Sequence, residues 1–236
     1  MENMEPDYVI KWYVASLFLM PVINQVAKRI WGSNVLQGLP MWNWKLCVFW
    51  QTAIFLPLLF WAWYLAGFDP NWIHLAPGDY PGSERVLQVY LIVMWAYLVK
   101  DFFCTMDLKY FIHHVVCMAA STAFWFFPGG LALFCVGATI LEVGSCSQSV
   151  WFLKPSKWAE IYHLAVMTIS NVIAICLVFF VYFPNEMDPL YLRWLFCIGV
   201  IVMTLSRQAF CFDNCNRLLA SWLPSVFKLK EDRLSS

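Results

Sequence analysis

Seven stretches of mostly apolar residues divide this chain, each close to the length of about 20 residues that a helix needs to cross hydrocarbon. They run Tyr8–Val26, Trp44–Ala66, Val86–Phe103, Tyr110–Phe127, Gly130–Leu153, Ile161–Phe183 and Leu190–Phe210. Hydrocarbon offers no water to a bare backbone, so such stretches must be helices that bond within themselves. Of 236 residues, 61% are hydrophobic and 13% are charged. Average soluble domains carry about 25% charged residues. A soluble fold of this length has too little interior to hide so much apolar surface. The expectation is an all-α polytopic transmembrane bundle of six to seven spans. The variable number is the third stretch, whose end Lys100 and Asp101 blunt.

Pro21 and Pro57 fall inside the first two stretches. Each removes a backbone donor and is expected to kink its helix. Pro128-Gly129 is a tight turn that makes the fourth and fifth helices antiparallel neighbours. Domain organisation reads as an N-terminal span and first loop over 1–41, a bundle over 42–217, and a tail over 218–236.

Charges in the connections set the orientation. The first connection holds Lys28, Arg29 and Lys45 without an acid, and the fifth holds Lys154 and Lys157. The tail adds Arg217, Lys228, Lys230 and Arg233. Asp69, Asp79 and Glu84 dominate the second connection, and Glu186 and Asp188 the sixth. Seven spans with a lumenal N-terminus and a cytosolic C-terminus bring the basic connections to the cytosol. The acidic start, Met1 to Asp7, lacks the basic region of a cleavable signal. Zero formal net charge gives no reason to expect a nucleic-acid partner. Most of the nine cysteines lie within apolar runs, as small hydrophobes rather than a disulfide framework.

Against this background the buried polar residues stand out. A titratable side chain at the centre of a membrane helix costs about 2.5–3.5 kcal/mol on insertion scales. Asp101 ends the third stretch, His113 and His114 sit one turn into the fourth, and Glu142 lies within the fifth. Ser145 and Ser149 share the face of Glu142, three and seven residues on. His163 lies near the start of the sixth stretch, and Arg207 near the end of the seventh. In the expected topology all of these fall in the cytosolic half, while Ala119–Phe127, Leu131–Val136 and Ile175–Phe183 make the other half apolar. The pattern suits a polar cavity open to the cytosol that continues into a greasy slot for an amphipathic substrate.

Adjacent residues on a helix diverge by about 100°, so only one of His113 and His114 points squarely into a given cavity. That divergence, and only four histidines in all, argue against a metal site. Acyl transfer fits better. An imidazole can act as base or nucleophile, with Asp101 or Glu142 fixing its tautomer. Lys100, Lys109 and Arg207 are candidates to meet an anionic head group or the phosphates of acyl-CoA, the expected co-substrate, with Ser145 and His163 also lining the substrate site. No bound cofactor is expected. The rival readings are a lipid-binding regulator and a transport or cargo receptor.

Tyr97-Leu98-Val99-Lys100-Asp101-Phe102, Ile112-His113-His114-Val115-Val116 and Leu141-Glu142-Val143-Gly144-Ser145 together resemble the TLC-domain family, which includes the ceramide synthases. The likeness runs from about Trp42 to Arg217. It implies a helical bundle in the endoplasmic reticulum or a related membrane, Golgi or plasma membrane included. For the ceramide synthases it implies acylation of a sphingoid base, with the paired histidines essential; a lysolipid is an alternative acceptor. A second His-Asp signature of that branch is missing between Ala119 and Lys157, so the chain is more similar to the smaller TLC-domain proteins that affect membrane lipid composition.

Overall fold

A computed structural model describes residues 6–74, 78–104, 108–126, 128–184 and 189–234. Seven long helices dominate it: α1 (Pro6–Trp31), α2 (Met41–Leu65), α3 (Pro81–Asp101), α4 (Leu108–Phe126), α5 (Leu131–Leu153), α6 (Lys157–Tyr182) and α7 (Leu190–Leu234). The fold is all-α. Five of the helices (α1, α2, α5, α6 and α7) are long and apolar enough to cross a membrane, and α4 contributes a shorter apolar segment, Phe111–Phe126.

α3 falls outside that set for a physical reason. It is the most enclosed helix, packed against α1, α2, α4 and α5. Residues from Leu87 to Asp101 are buried on several faces. A helix wrapped by protein does not need a lipid-compatible surface, so it can carry Gln88, Lys100 and Asp101. The outer helices show the opposite pattern. Phe18, Val22 and Ile30 on α1, Ile112 and Val116 on α4, and Leu195 and Leu205 on α7 are exposed apolar side chains. This is the surface expected where the solvent is lipid.

Pro21 lies inside α1, which stays α-helical throughout, whereas Pro57 acts through a π turn. Pro57 cannot donate to the carbonyl of Ala53, and a wider π turn, Gln51–Phe55, occupies that place in α2. A second π turn, Val178–Tyr182, closes α6 just before Pro184, with Phe183 N–H donating to Val178 C=O at 2.8 Å. Between α1 and α2 lies a hairpin that the apolar pattern does not reveal: β1 (Val35–Leu36) pairs antiparallel with β2 (Leu39–Pro40). Its turn residues Gln37 and Gly38 both have positive φ, as a two-residue hairpin turn of this hand requires. Trp44 Nε1–H donates to Leu36 C=O at 2.8 Å and fastens the hairpin to α2.

The 128–130 turn is a short 3-10 segment. α4 packs chiefly on α3 and touches α5 only lightly, while α5 and α6 form the most extensive helix pair. Gly144 allows that close approach, since a Cβ there would fall 2.5 Å from Arg207 Nη2 and 3.1 Å from Met167 Sδ. α6 starts with Ser156 as its cap, the hydroxyl accepting from Ala159 N–H at 3.1 Å. α7 continues to Leu234, well past the Phe210 boundary read from hydropathy, so the tail after 217 extends this helix.

Aromatic rings close the end of the bundle away from the titratable cluster. Phe124 of α4 stacks on Phe134 of α5 at 4.6 Å between centroids, and Phe196 of α7 meets Tyr182 of α6 at 4.9 Å. One deeper polar pair interrupts the apolar half: the hydroxyls of Tyr90 and Thr139, 2.8 Å apart.

A buried histidine–carboxylate–lysine network

Three helices meet at the C-terminal end of α3. Tyr97, Lys100 and Asp101 lie on one face of it, at the i, i+3 and i+4 positions. Asp101 Oδ2 accepts from His114 Nε2 of α4 at 2.8 Å, while Oδ1 accepts from Lys100 Nζ at 2.5 Å. Lys100 also donates to Asn43 Oδ1 at 3.2 Å and reaches Cys47 Sγ at 3.3 Å, both on α2. Its ammonium lies 4.5 Å from the centre of the Tyr97 ring. Asn24 of α1 completes the arrangement by donating to the Lys100 carbonyl at 2.8 Å.

Lys100 is 0% exposed. It therefore turns inward and pairs with Asp101, rather than reaching out to meet a head group or a CoA phosphate. Two opposite charges in contact, each with further polar partners, reduce the desolvation cost that either would carry alone. The sequence places Lys100 at a helix end, where a long stem commonly snorkels. The partners that hold it inside come from α2 and are not adjacent in sequence.

The two histidines take different surroundings. Their rings lie 5.5 Å apart between centroids at 82°. His114 is buried against Asp101 and the Phe102 ring. His113 is partly buried and lies 3.7 Å from Cys117 Sγ, one turn along its own helix.

Glu142 of α5 belongs to the adjoining layer. Its carboxylate accepts from Gln51 Nε2 and, at 3.3 Å, from the Tyr97 hydroxyl. Gln51 Nε2 also donates to the Tyr97 oxygen at 3.0 Å. Glu142 is thus joined to the histidine network through Tyr97, whose ring faces Lys100, and makes no hydrogen bond to either imidazole. Gln51 is the first residue of the π turn in α2, so the backbone irregularity created beside Pro57 positions this side chain. Gln51 carries no motif of its own in the sequence, and Tyr97 is legible there only as the first residue of the Tyr97–Phe102 segment. The nearest signal for Gln51 is a glutamine inside a span, six residues before a proline.

Arg207 of α7 sits one turn further along α5. It donates from Nη1 to Ser145 Oγ at 3.0 Å, from Nη2 to the Leu141 carbonyl at 2.8 Å, and from Nε to Asn171 Oδ1 at 3.0 Å. Asn171 and Gln208 extend the chain of bonds to Thr168. Arg207 and Ser145 are thus interhelical ties between α5, α6 and α7. His163 is a separate feature. Its Nδ1 bonds the Ser147 hydroxyl at 3.1 Å, and the ring stacks on Trp151 with centroids 5.2 Å apart. It is 0% exposed, and Nε2 has no partner among the described residues. The side chain of Lys109 lies outside the described residues.

A cleft of about 450 Å³ opens between the C-terminal end of α1, the hairpin and the C-terminal end of α3. His113, His114, Asp101 and Glu142 do not line it. Among the described residues no group of three or more His, Cys, Asp or Glu side chains is arranged to hold a metal ion. All nine cysteines are free thiols.

No protein-family model, curated protein or solved structure matches the chain. The likeness to TLC-domain proteins therefore rests on the three segments that carry it, and those segments supply Asp101, His114 and Glu142.

Proposed function

We propose that this chain is a TLC-type integral membrane protein that acts on lipids, crossing the bilayer six to seven times with a lumenal N-terminus and a cytosolic C-terminus, in the endoplasmic reticulum or a related membrane. The sharper reading is acyl transfer from acyl-CoA to the amine or hydroxyl of a lipid acceptor such as a sphingoid base or lysolipid. The observation that carries it is the buried contact between His114 and Asp101. An imidazole that donates one ring proton to a carboxylate is fixed in orientation and tautomer, and the carboxylate stabilises the imidazolium formed when the ring takes a proton.

In this chemistry the acceptor nitrogen or oxygen attacks the thioester carbonyl as His114 takes its proton. The tetrahedral adduct then expels the CoA thiolate, which leaves as the thiol with the proton from the imidazolium. The new amide or ester remains in the membrane. Asp101 holds the imidazole, and Lys100 holds Asp101. Glu142 supports Tyr97 from the other side. His113 lies beside the reacting ring as a positioning group.

A second reading is a lipid-binding regulator without turnover. It is favoured by the burial of the network and by a cleft that lies elsewhere. Purified protein given a panel of acyl-CoAs with sphingoid and lysolipid acceptors separates the two. Product that disappears in a folded His114→Ala variant supports acyl transfer. Tight lipid binding without product under any pairing supports the regulator and removes the catalytic role of His114.

A further inference from the structure

Exposed tryptophan and tyrosine residues gather at one end of the bundle, the end that Phe124 and Tyr182 close. Tyr8 and Trp12 stand on α1, Trp61 and Tyr64 on α2, and Tyr191 and Trp194 on α7. The hairpin joins the opposite ends of α1 and α2, so the first two pairs share this end. Trp194 packs on Phe183, just past the end of α6, with centroids 4.7 Å apart. Lys11 and Arg193 adjoin Trp12 and Trp194 in the chain. Amphipathic rings and long cationic stems at span ends favour the boundary between hydrocarbon and head groups.

The turn after α2 holds more rings at this level. Phe68 has a φ of 58°, a strained value for a bulky side chain. The turn folds its ring back onto α2, 5.0 Å from Trp63 and 5.7 Å from Tyr64 between centroids. Trp63 Nε1–H donates to the Asp69 carbonyl at 3.2 Å. All three rings stay on the outer surface rather than entering the core.

Helix lengths mark the other boundary. On α1 the next charge after Lys11 is Lys28, 17 residues on, or about 26 Å. On α2 no charge lies between Lys45 and Tyr64, 19 residues or about 29 Å. On α7 Arg193 and Asp213 are 20 residues apart, about 30 Å. The one charge between them, Arg207, is turned onto Ser145 and Asn171. Three helices thus measure nearly the same interval, and it matches the hydrocarbon thickness of about 30 Å.

The polar layers can be placed within that interval. Asn43, which accepts from Lys100, is two residues from Lys45. Phe152 of α5 meets Trp44 at 4.9 Å, which carries the Lys45 level across to α5. Glu142 is ten residues from Phe152, about 15 Å.

We infer that Trp12, Trp61, Tyr64 and Trp194 seat one end of the bundle among the glycerol carbonyls and head groups of membrane phospholipids. The His114–Asp101–Lys100 network then lies at the opposite head-group boundary, and Glu142 lies near the bilayer centre. His114 is thereby level with the polar end of an amphiphile, and the chains of that amphiphile run past the depth of Glu142. The placement does not rest on acyl transfer. It requires only that the apolar helices cross a bilayer.

Tryptophan quenching tests it, with the full-length protein in vesicles of phosphatidylcholine brominated either high or low on the acyl chain. Each reporter is read as a difference from the unaltered protein. The emission removed by Trp61→Phe is expected to be quenched more by the shallow bromine. Phe111→Trp places a ring at an exposed position one turn from His114, and Val143→Trp places one at an exposed position beside Glu142. The first is expected to lose more emission to the shallow bromine and the second to the deep one. Val202→Trp, also exposed and about 16 Å from Asp213 along α7, reads the central level if Val143→Trp does not fold. Stronger deep quenching at Phe111→Trp overturns the placement, as does stronger shallow quenching at the central reporter. Absence of quenching at Trp61 overturns it too, because a second copy of this chain rather than lipid then covers α2. Product formation is not read, so every outcome leaves the role of His114 to its own test.

Discussion

Nε2 of His114 lies 2.8 Å from Oδ2 of Asp101, and this contact joins α4 to the C-terminal end of α3 across the 102–107 connection. The same carboxylate holds the buried ammonium of Lys100. One acidic group thus serves two nitrogens of different kinds. The lysine balances its charge at Oδ1, and the imidazole bonds the other oxygen.

Removing one member of the Lys100–Asp101 pair leaves the other charged and enclosed. Asp101→Asn and Lys100→Met are each expected to destabilise the bundle by about 3–5 kcal/mol. The double variant is expected to recover a large part of that loss, because it strands no charge. Thermal unfolding of the four proteins in one detergent measures the cycle. Additive losses in the double variant refute the coupling.

The two imidazoles are expected to respond differently. His114→Gln removes the group bonded to Asp101, and product formation should fall by about 10²–10⁴-fold, the usual contribution of a general base. His113→Gln loses no carboxylate partner and should leave a larger residual rate. Single-turnover assays with a saturating acyl-CoA, on protein shown to be folded, decide the order. Equal losses, or a greater loss at His113, assign the base to the other ring.

Gly144→Ala drives a methyl group against the Arg207 guanidinium, Met167 and the Ser170 hydroxyl. Overpacking of this kind costs about 1–3 kcal/mol. Arg207→Lys should cost stability as well, because a single ammonium cannot serve Ser145, Asn171 and the Leu141 carbonyl in the fork geometry that arginine provides. Melting temperatures of both variants against the unaltered protein give the comparison. An unchanged value for Gly144→Ala shows that α5 and α6 have room to part.

Asn24 of α1, Lys100 of α3 and Asn43 of α2 are bonded together, so these helix ends share one side of the bundle. Glycosylation acceptors inserted after Gly32 and after Lys154 are therefore expected to behave alike. One inserted at Gly78 should behave oppositely. With a cytosolic C-terminus, the Gly78 site is modified and the other two are not. Modification of the Gly32 and Lys154 sites with a bare Gly78 site inverts the orientation.

Much of the helical framework is legible in the sequence, because long apolar runs leave the backbone few alternatives. α5 was expected to begin at Gly130 and begins at Leu131, and both readings end at Leu153. Less visible are features set by contacts between helices. The π turn at Gln51 depends on what Pro57 does to a distant carbonyl and on Glu142 and Tyr97 to receive the side chain. The inward turn of Lys100 depends on Asn43 and Cys47, more than fifty residues earlier. The hairpin at Val35–Pro40 is too short for alternation to show. Glu142 reads in the sequence as a partner for a histidine, and its partners are instead a glutamine and a tyrosine, residue types that no charge pattern flags.

The enclosure of α3 bears on how the protein is made. A segment ending in lysine and aspartate gains little by leaving an insertion channel alone, before any counter-group is there to receive it. α2 is already synthesised at that point and brings Asn43 and Cys47, but His114 arrives only with α4. In the proposed seven-span arrangement the third helix is then best released as part of a group, its insertion waiting on the chain that follows it.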